Sequence, residues 1–293
     1  MSIAGDWAQL GEHRKLLGND VFVVDVAAES PGAPEPAEPV LVLHGFPTSS
    51  IDWRRVIGPM REGRRVILFD FLGYGFSAKP DQRYSLFEQA DLVEALVADL
   101  GIRAAVIVSH DMGDSVAGEL CARSLDGTLG FEITRRVLAN GSIYLDMAHL
   151  TDGQQLLLSL PDEQLPEGLG FELVEAALAA TCAPAMVPPA DELAAMADAV
   201  VRDGGDRLLS RLIRYVEERR QHEGRWTGAI ETHPSPLTIV WGTADPIAVW
   251  PMAQRLHAAR PDATLVELDG VGHYPMVEDP ERFGAALRAA LKR

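Results

Sequence analysis

Short, continuous apolar runs alternate along this chain with segments whose apolar residues recur every three or four positions. Val40-Leu-Val-Leu43, Val66-Ile-Leu-Phe69, Ala104-Ala-Val-Ile-Val108 and Leu237-Thr-Ile-Val-Trp241 are strand-length and rich in branched residues. That is the pattern of strands buried on both faces of a parallel sheet. Residues 136–139 and 264–268 predict two further strands, and 13–17 with 21–27 predict a hairpin about Gly18-Asn19-Asp20. Helical periodicity covers 50–60, 85–100, 112–124, 250–259 and 280–291, most strongly in 85–100. The alternation predicts an α/β fold with a mostly parallel, doubly wound sheet of eight strands. It breaks between 143 and 232, where 173–180, 191–203 and 207–220 read as helices and no buried strand is legible. The expected organisation is a core in two parts, 1–142 and 233–293, with a helical cap inserted at 143–232. Four prolines in 30–39 predict a loop.

Composition narrows the function classes. The 293 residues are 47% hydrophobic and 24% charged, enough for a sizeable core, and the net charge of −17 argues against anionic partners. No basic cluster reads as a nucleic-acid surface; Arg61-Glu-Gly-Arg-Arg65 reads as a solvated turn. Cys121 and Cys182 lack metal-ligand spacing and are expected as buried thiols of a reducing compartment. Neither a basic, apolar leader nor a membrane span is legible, so a cytoplasmic location is expected.

Chemistry concentrates after predicted strand ends, where open α/β sheets bind ligands. The run ending at Val108 is followed by Ser109-His-Asp-Met-Gly113, a small-x-nucleophile-x-small pattern with Asp111 at its centre. A tight strand-to-helix turn thrusts the central carboxylate out over the sheet, beside the free N–H groups of a helix start. Gly242-Thr-Ala-Asp-Pro246 and Gly270-Val-Gly-His-Tyr-Pro275 follow later strands. Each signal alone is a common turn or cap. Together they set Asp111, Asp245 and His273 in the order nucleophile, acid, histidine. In that triad Asp111 attacks a carbon and becomes an ester, His273 activates water, and Asp245 fixes the imidazole. The N–H groups of Phe46 and Met112 are the expected oxyanion donors. His44 and His110 suit structural hydrogen bonding, and Asp114 suits a first-turn helix carboxylate. Phe46, Met112, Trp53, Trp250 and Met276 would make an apolar pocket wall, joined by His44 and Tyr144. No metal and no nucleotide cofactor is expected, since neither ligand spacing nor a full dinucleotide fingerprint is present.

Leu43-His-Gly-Phe-Pro47, Asp70-Phe-Leu-Gly-Tyr-Gly-Phe-Ser77 with Lys79-Pro80, Ser109-His-Asp-Met-Gly113 and Gly272-His273 resemble the α/β-hydrolase superfamily, in the branch of epoxide hydrolases and haloalkane dehalogenases. More narrowly, His44-Gly-Phe-Pro-Thr-Ser-Ser-Ile-Asp-Trp53, Leu86-Phe-Glu-Gln-Ala90 and Gly272-His-Tyr-Pro275 are similar to the mesoderm-specific transcript hydrolase-like proteins. The likeness covers both core segments and thins between about 145 and 205. It implies a cap tyrosine that protonates an epoxide oxygen, a role that falls on Tyr215, with Tyr144 as a second candidate. The dehalogenase branch implies side-chain N–H donors for halide where this chain has Met112 and Phe46. The resemblance therefore implies a hydrolase that opens a small apolar epoxide to a diol through an aspartyl ester. A haloalkane or haloacid dehalogenase, and a non-enzymatic binding protein on a hydrolase fold, are the alternatives, and a homodimer is left open.

Overall fold

The computed structural model describes residues 2–29 and 37–292. Eight strands form one sheet: β1 (Glu12–Leu16), β2 (Asn19–Val26), β3 (Ala37–Leu43), β4 (Arg64–Phe69), β5 (Ala104–His110), β6 (Glu132–Ala139), β7 (Leu237–Gly242) and β8 (Thr264–Leu268). Their order is β1-β2-β4-β3-β5-β6-β7-β8; β1, β2 and β4 pair antiparallel and every other neighbour parallel. The helices are α1 (Ile3–Leu10), α2 (Ile57–Met60), α3 (Leu86–Asp99), α4 (Met112–Leu125), α5 (Asp152–Ser159), α6 (Phe171–Thr181), α7 (Ala190–Val201), α8 (Leu209–Leu212), α9 (Tyr215–Thr232), α10 (Trp250–Ala259), α11 (Pro275–Glu278) and α12 (Pro280–Leu291). Helices α5 to α9 all lie between β6 and β7 in the chain. None of the helices described is long and apolar enough to cross a membrane.

The fully apolar runs occupy the middle of the sheet. Val40 to Leu43 and Val106 to Val108 are at most 1% exposed, because helices cover both faces. Such strands have no polar face, so the sequence shows them as unbroken runs. At the sheet edge β1 follows a different rule, with only Leu16 buried.

Several elements differ from the sequence expectation. The hairpin turns on Leu17-Gly18, both at positive φ (50° and 83°), rather than on Gly18-Asn19-Asp20. Two consecutive positive φ values match the twist of the flanking strands. Most of the 30–39 segment lies outside the described residues, but Ala37, Glu38 and Pro39 belong to β3. Proline is tolerated there because the register shifts between Ala37 and Val40, and pairing with β5 begins only at Val40. Helix α5 was not anticipated, although its capping box, Thr151 with Gln154, stands in the sequence. The single helix expected over 207–220 is instead the end of a 3-10 turn, α8, and the start of an α9 that runs on to Thr232. The polar stretch 217–225 hides α9, since its attachment to α4 is largely polar. Glu119 of α4 accepts from Arg225 Nε at 2.7 Å and Trp226 Nε1 at 2.9 Å, and Ser115 Oγ accepts from Arg219 Nε at 2.8 Å. Gly118 lets the two backbones approach, as a Cβ there would sit 3.0 Å from Trp226 Cβ.

Candidate active site

Strand β5 ends at His110, and α4 begins at Met112. Asp111 makes the whole turn, at φ 50° and ψ −114°, a strained conformation for a residue with a Cβ. Small neighbours make the bend fit. A Cβ on Gly113 would lie 2.4 Å from Leu43 O, and one on Gly45 would lie 2.8 Å from Asp111 Cβ. The Asp111 side chain is 2% exposed. Its Oδ2 accepts from Phe46 N at 2.9 Å, while no hydrogen bond among the described residues engages Oδ1. One oxygen is anchored and the other is available.

The histidine arrives from the loop after β8. His273 Nδ1 bonds Asp245 Oδ2 at 2.9 Å, which leaves Nε2 for chemistry. Asp245 is fixed in turn: Oδ1 accepts from Ile247 N at 2.7 Å and Ala248 N at 3.0 Å, and Oδ2 accepts from Asn140 Nδ2 at 2.7 Å. Burial works against a charged His273, yet the charge and hydrogen bond of Asp245, then Asp111 and Glu278, outweigh it and raise the imidazole to about 9. Glu278 grips the loop itself. Its carboxylate accepts from Gly272 N and Tyr274 N, both at 2.8 Å, and from Ala183 N at 2.9 Å in the turn after α6.

A cavity of about 170 Å³ borders His273. Phe46, Leu157, Val174, Leu178 and Leu209 are among its walls, and His273 and Tyr274 also line it. Tyr215, at the start of α9, is 5% exposed, with its ring centroid 5.5 Å from that of Phe46. Burial and then the charge of Asp111 push its phenol well above the ordinary range. It shares a small recess with Tyr74 and Met112, and Tyr74 Oη donates to Met112 Sδ at 3.1 Å.

The structure thus brings Asp111, Phe46, Met112, Asp245, His273 and Tyr215 into one region. Of the expected residues only Phe46 and His273 line the cavity; Met112 and Tyr215 line the smaller recess, and neither lining includes Asp111, Asp245, His44, Trp53, Tyr144, Trp250 or Met276. Tyr144 donates to Glu231 Oε1 at 2.6 Å and stacks under Arg255, so its hydroxyl is committed elsewhere. Trp53 is fully buried against Phe283, Met276 is fully buried in the core, and Trp250 packs half-buried beside the cluster under α10. His44 is a buried linchpin: Nδ1 meets Gly45 O at 2.8 Å and Nε2 accepts from Phe71 N at 2.9 Å, which requires a neutral ring. His110 bonds the backbone oxygen of His273 through Nε2 at 2.7 Å, and burial lowers its pKa to about 4. Asp114 is a first-turn carboxylate of α4, but not one in solvent. It is fully buried and accepts from Ser109 Oγ at 2.5 Å; burial, with the added charge of Asp111, raises it well above the carboxylate range. Asn140 and Glu278 were not anticipated. Asn140 had a signal, the strand-ending Asn140-Gly141 pair, and its φ is 50°. Glu278 had none, because its oxygens accept only from backbone N–H groups, which every residue type but proline carries.

A model of the alpha/beta hydrolase family matches residues 40–286. The chain belongs to that family. Among relatives of this α/β-hydrolase, the Mycobacterium tuberculosis protein LipZ is 42% identical over 290 residues, covering 98% of this chain and 97% of LipZ. The human mesoderm-specific transcript homolog protein is 34% identical over 286 residues, covering 94% of this chain and 84% of its own. Solved structures share the fold. Haloalkane dehalogenase DbeA of Bradyrhizobium elkani superposes with a TM-score of 0.73 at 23% identity, covering 95% of this chain and 96% of DbeA. The meta-cleavage product hydrolase CumD of Pseudomonas fluorescens gives 0.75 at 21% identity, covering 96% and 97%.

Proposed function

We propose that this α/β-hydrolase opens apolar epoxides to diols through an ester on Asp111, beneath a cap formed by residues 143–232. The observation that carries the proposal is the Asp111 carboxylate itself, held at the bend with Oδ2 on Phe46 N and Oδ1 free. Asp111 Oδ1 attacks an epoxide carbon, the C–O bond breaks, and the departing oxygen takes the proton of Tyr215. Water then gives a proton to His273 Nε2 and attacks Asp111 Cγ. The resulting oxyanion is met by the N–H groups of Phe46 and Met112, each such donor being worth about 3 kcal/mol. Collapse releases the diol, whose oxygen takes the proton from His273, and the second water proton, left on the regenerated Asp111 carboxyl, returns to the Tyr215 phenolate. Asp245 keeps the imidazole upright and stabilises its charge.

A phenol favours the epoxide over the halide reading. A departing alkoxide needs a proton, whereas a halide needs polarised N–H donors, and Phe46 and Met112 carry none in their side chains. Single-turnover reaction in oxygen-18 water, with an excess of enzyme over styrene oxide and other epoxides, is the test. Label is expected in the Asp111 carboxylate. Diol formation without that label would overturn the ester route, and halide release from haloalkanes without any diol from epoxides would overturn the substrate class.

A further inference from the structure

One buried cation beside the site has no ion-pair partner. The Arg219 side chain, one helical turn beyond Tyr215 on α9, is 4% exposed. Its Nε donates to Ser115 Oγ at 2.8 Å, while Nη2 is buried with no partner among the described residues. Its guanidinium carbon lies 4.9 Å from the centroid of the Tyr215 ring. Among the described residues no carboxylate pairs with it directly. Charged or titratable groups that act on the pair include Asp111 and Asp114, at the start of α4, and the buried phenol of Tyr74, which shares the Tyr215 recess. A buried charge without a counter-ion is costly, so its presence here calls for a role that a neutral side chain would not fill.

We propose that Arg219 is a positioning residue that makes Tyr215 a competent proton donor, an inference that rests on the epoxide reading above. Before attack, the negative charge of Asp111 keeps the phenol protonated. As the Asp111 oxygen bonds to carbon, that charge passes to the epoxide oxygen, which takes the phenolic proton. The phenolate left behind then faces the guanidinium, which stabilises it until the proton returns. Charge over the ring and Asp111 before it act in opposite directions on the same hydroxyl, as the signs of their effects on Tyr215 show. Ser115 holds the guanidinium in register.

The test uses the full-length protein with a polyfluorinated tyrosine at position 215, whose ring fluorines lower the phenol's proton affinity enough to offset burial, so that fluorine NMR follows its titration. R219M is expected to raise its proton affinity at least severalfold, with R219K intermediate, the direction that loss of a neighbouring positive charge dictates. In parallel, single-turnover ester formation from styrene oxide should fall about tenfold in R219M, while hydrolysis of the ester once formed keeps its native rate. Circular dichroism checks that each variant folds; R219K serves if R219M does not. An unchanged titration in a folded variant overturns the proposal whatever the activity, and so does an equal loss in both half-reactions. If the native protein opens no epoxide but the titration still shifts, the epoxide reading fails while the coupling of Arg219 to Tyr215 stands.

Discussion

Asp111 and His273 occupy states that separate the two halves of the proposed reaction. Replacing His273 by Gln removes the base for water but leaves the attacking oxygen, so H273Q should accumulate the aspartyl ester. Intact-protein mass spectrometry should then show a gain equal to one substrate molecule. D111N should form no adduct and turn over at less than about a thousandth of the native rate, with its melting temperature within a few degrees of native. The His273 imidazole, raised to about 9, is a base only when neutral. Esterification cancels the Asp111 charge, one of the causes of that rise, so ester hydrolysis should titrate below 9, and D245N should lower that value further. The sign for stability is opposite to that for rate. A raised histidine pKa stabilises the fold fully below its ordinary value of 6.5, and the contribution is lost as pH climbs through about 9. Denaturant titrations at pH 6 and pH 10 should show that loss in the native protein and much less of it in H273Q.

At the level of elements, the turn between β5 and α4 depends on the absence of a side chain at position 113. A Cβ there would meet the carbonyl oxygens of Leu43 and His44 at 2.4 and 2.8 Å, both backbone atoms that cannot swing away. G113V should therefore cost about 3 kcal/mol in denaturant unfolding, with activity lost in step. The same backbone logic explains what the sequence discloses. Ser109, Gly113 and the β-branched run before them advertise the elbow because the close approach of β3 to the turn leaves the elbow with small residues at fixed spacing in one short stretch. The central strands are legible because burial on both faces leaves no room for polar residues. Helix α9 is not legible beyond Arg220, because Arg219, Arg225 and Trp226 attach it through polar atoms whose partners lie about a hundred residues earlier. Tyr144 fails as a pocket residue for a related reason. Glu231, which claims its hydroxyl, lies 87 positions away, and no local pattern marks that pairing.

Across the whole molecule, the path from α9 back into the sheet is tied chiefly through one side chain. The fully buried Arg136 of β6 donates to Ile230 O, His233 O, Ser235 O and Ser235 Oγ at 2.9 to 3.2 Å, joining the end of α9 to the entry of β7. R136M should cost about 3 kcal/mol by stranding those acceptors, read as a lower denaturation midpoint. The surface imposes a different preference. With a net charge of −17 and an apolar hollow, the protein should turn over neutral epoxides faster than carboxylate-bearing ones of equal size. Raising salt from about 10 mM to about 500 mM should narrow that gap in kcat/KM. Glu278 adds a mechanical link of wider reach. A single side chain clasps both neighbours of the imidazole and also the turn that ends α6, a wall of the hollow. A guest too thick for that space must shove α6 outward and tug on the clasp, tilting the very ring that has to meet the water. Girth should thus be penalised twice in the proposed reaction, by crowding where the guest lies and by misalignment of the proton relay, which would gear selectivity by shape directly into turnover.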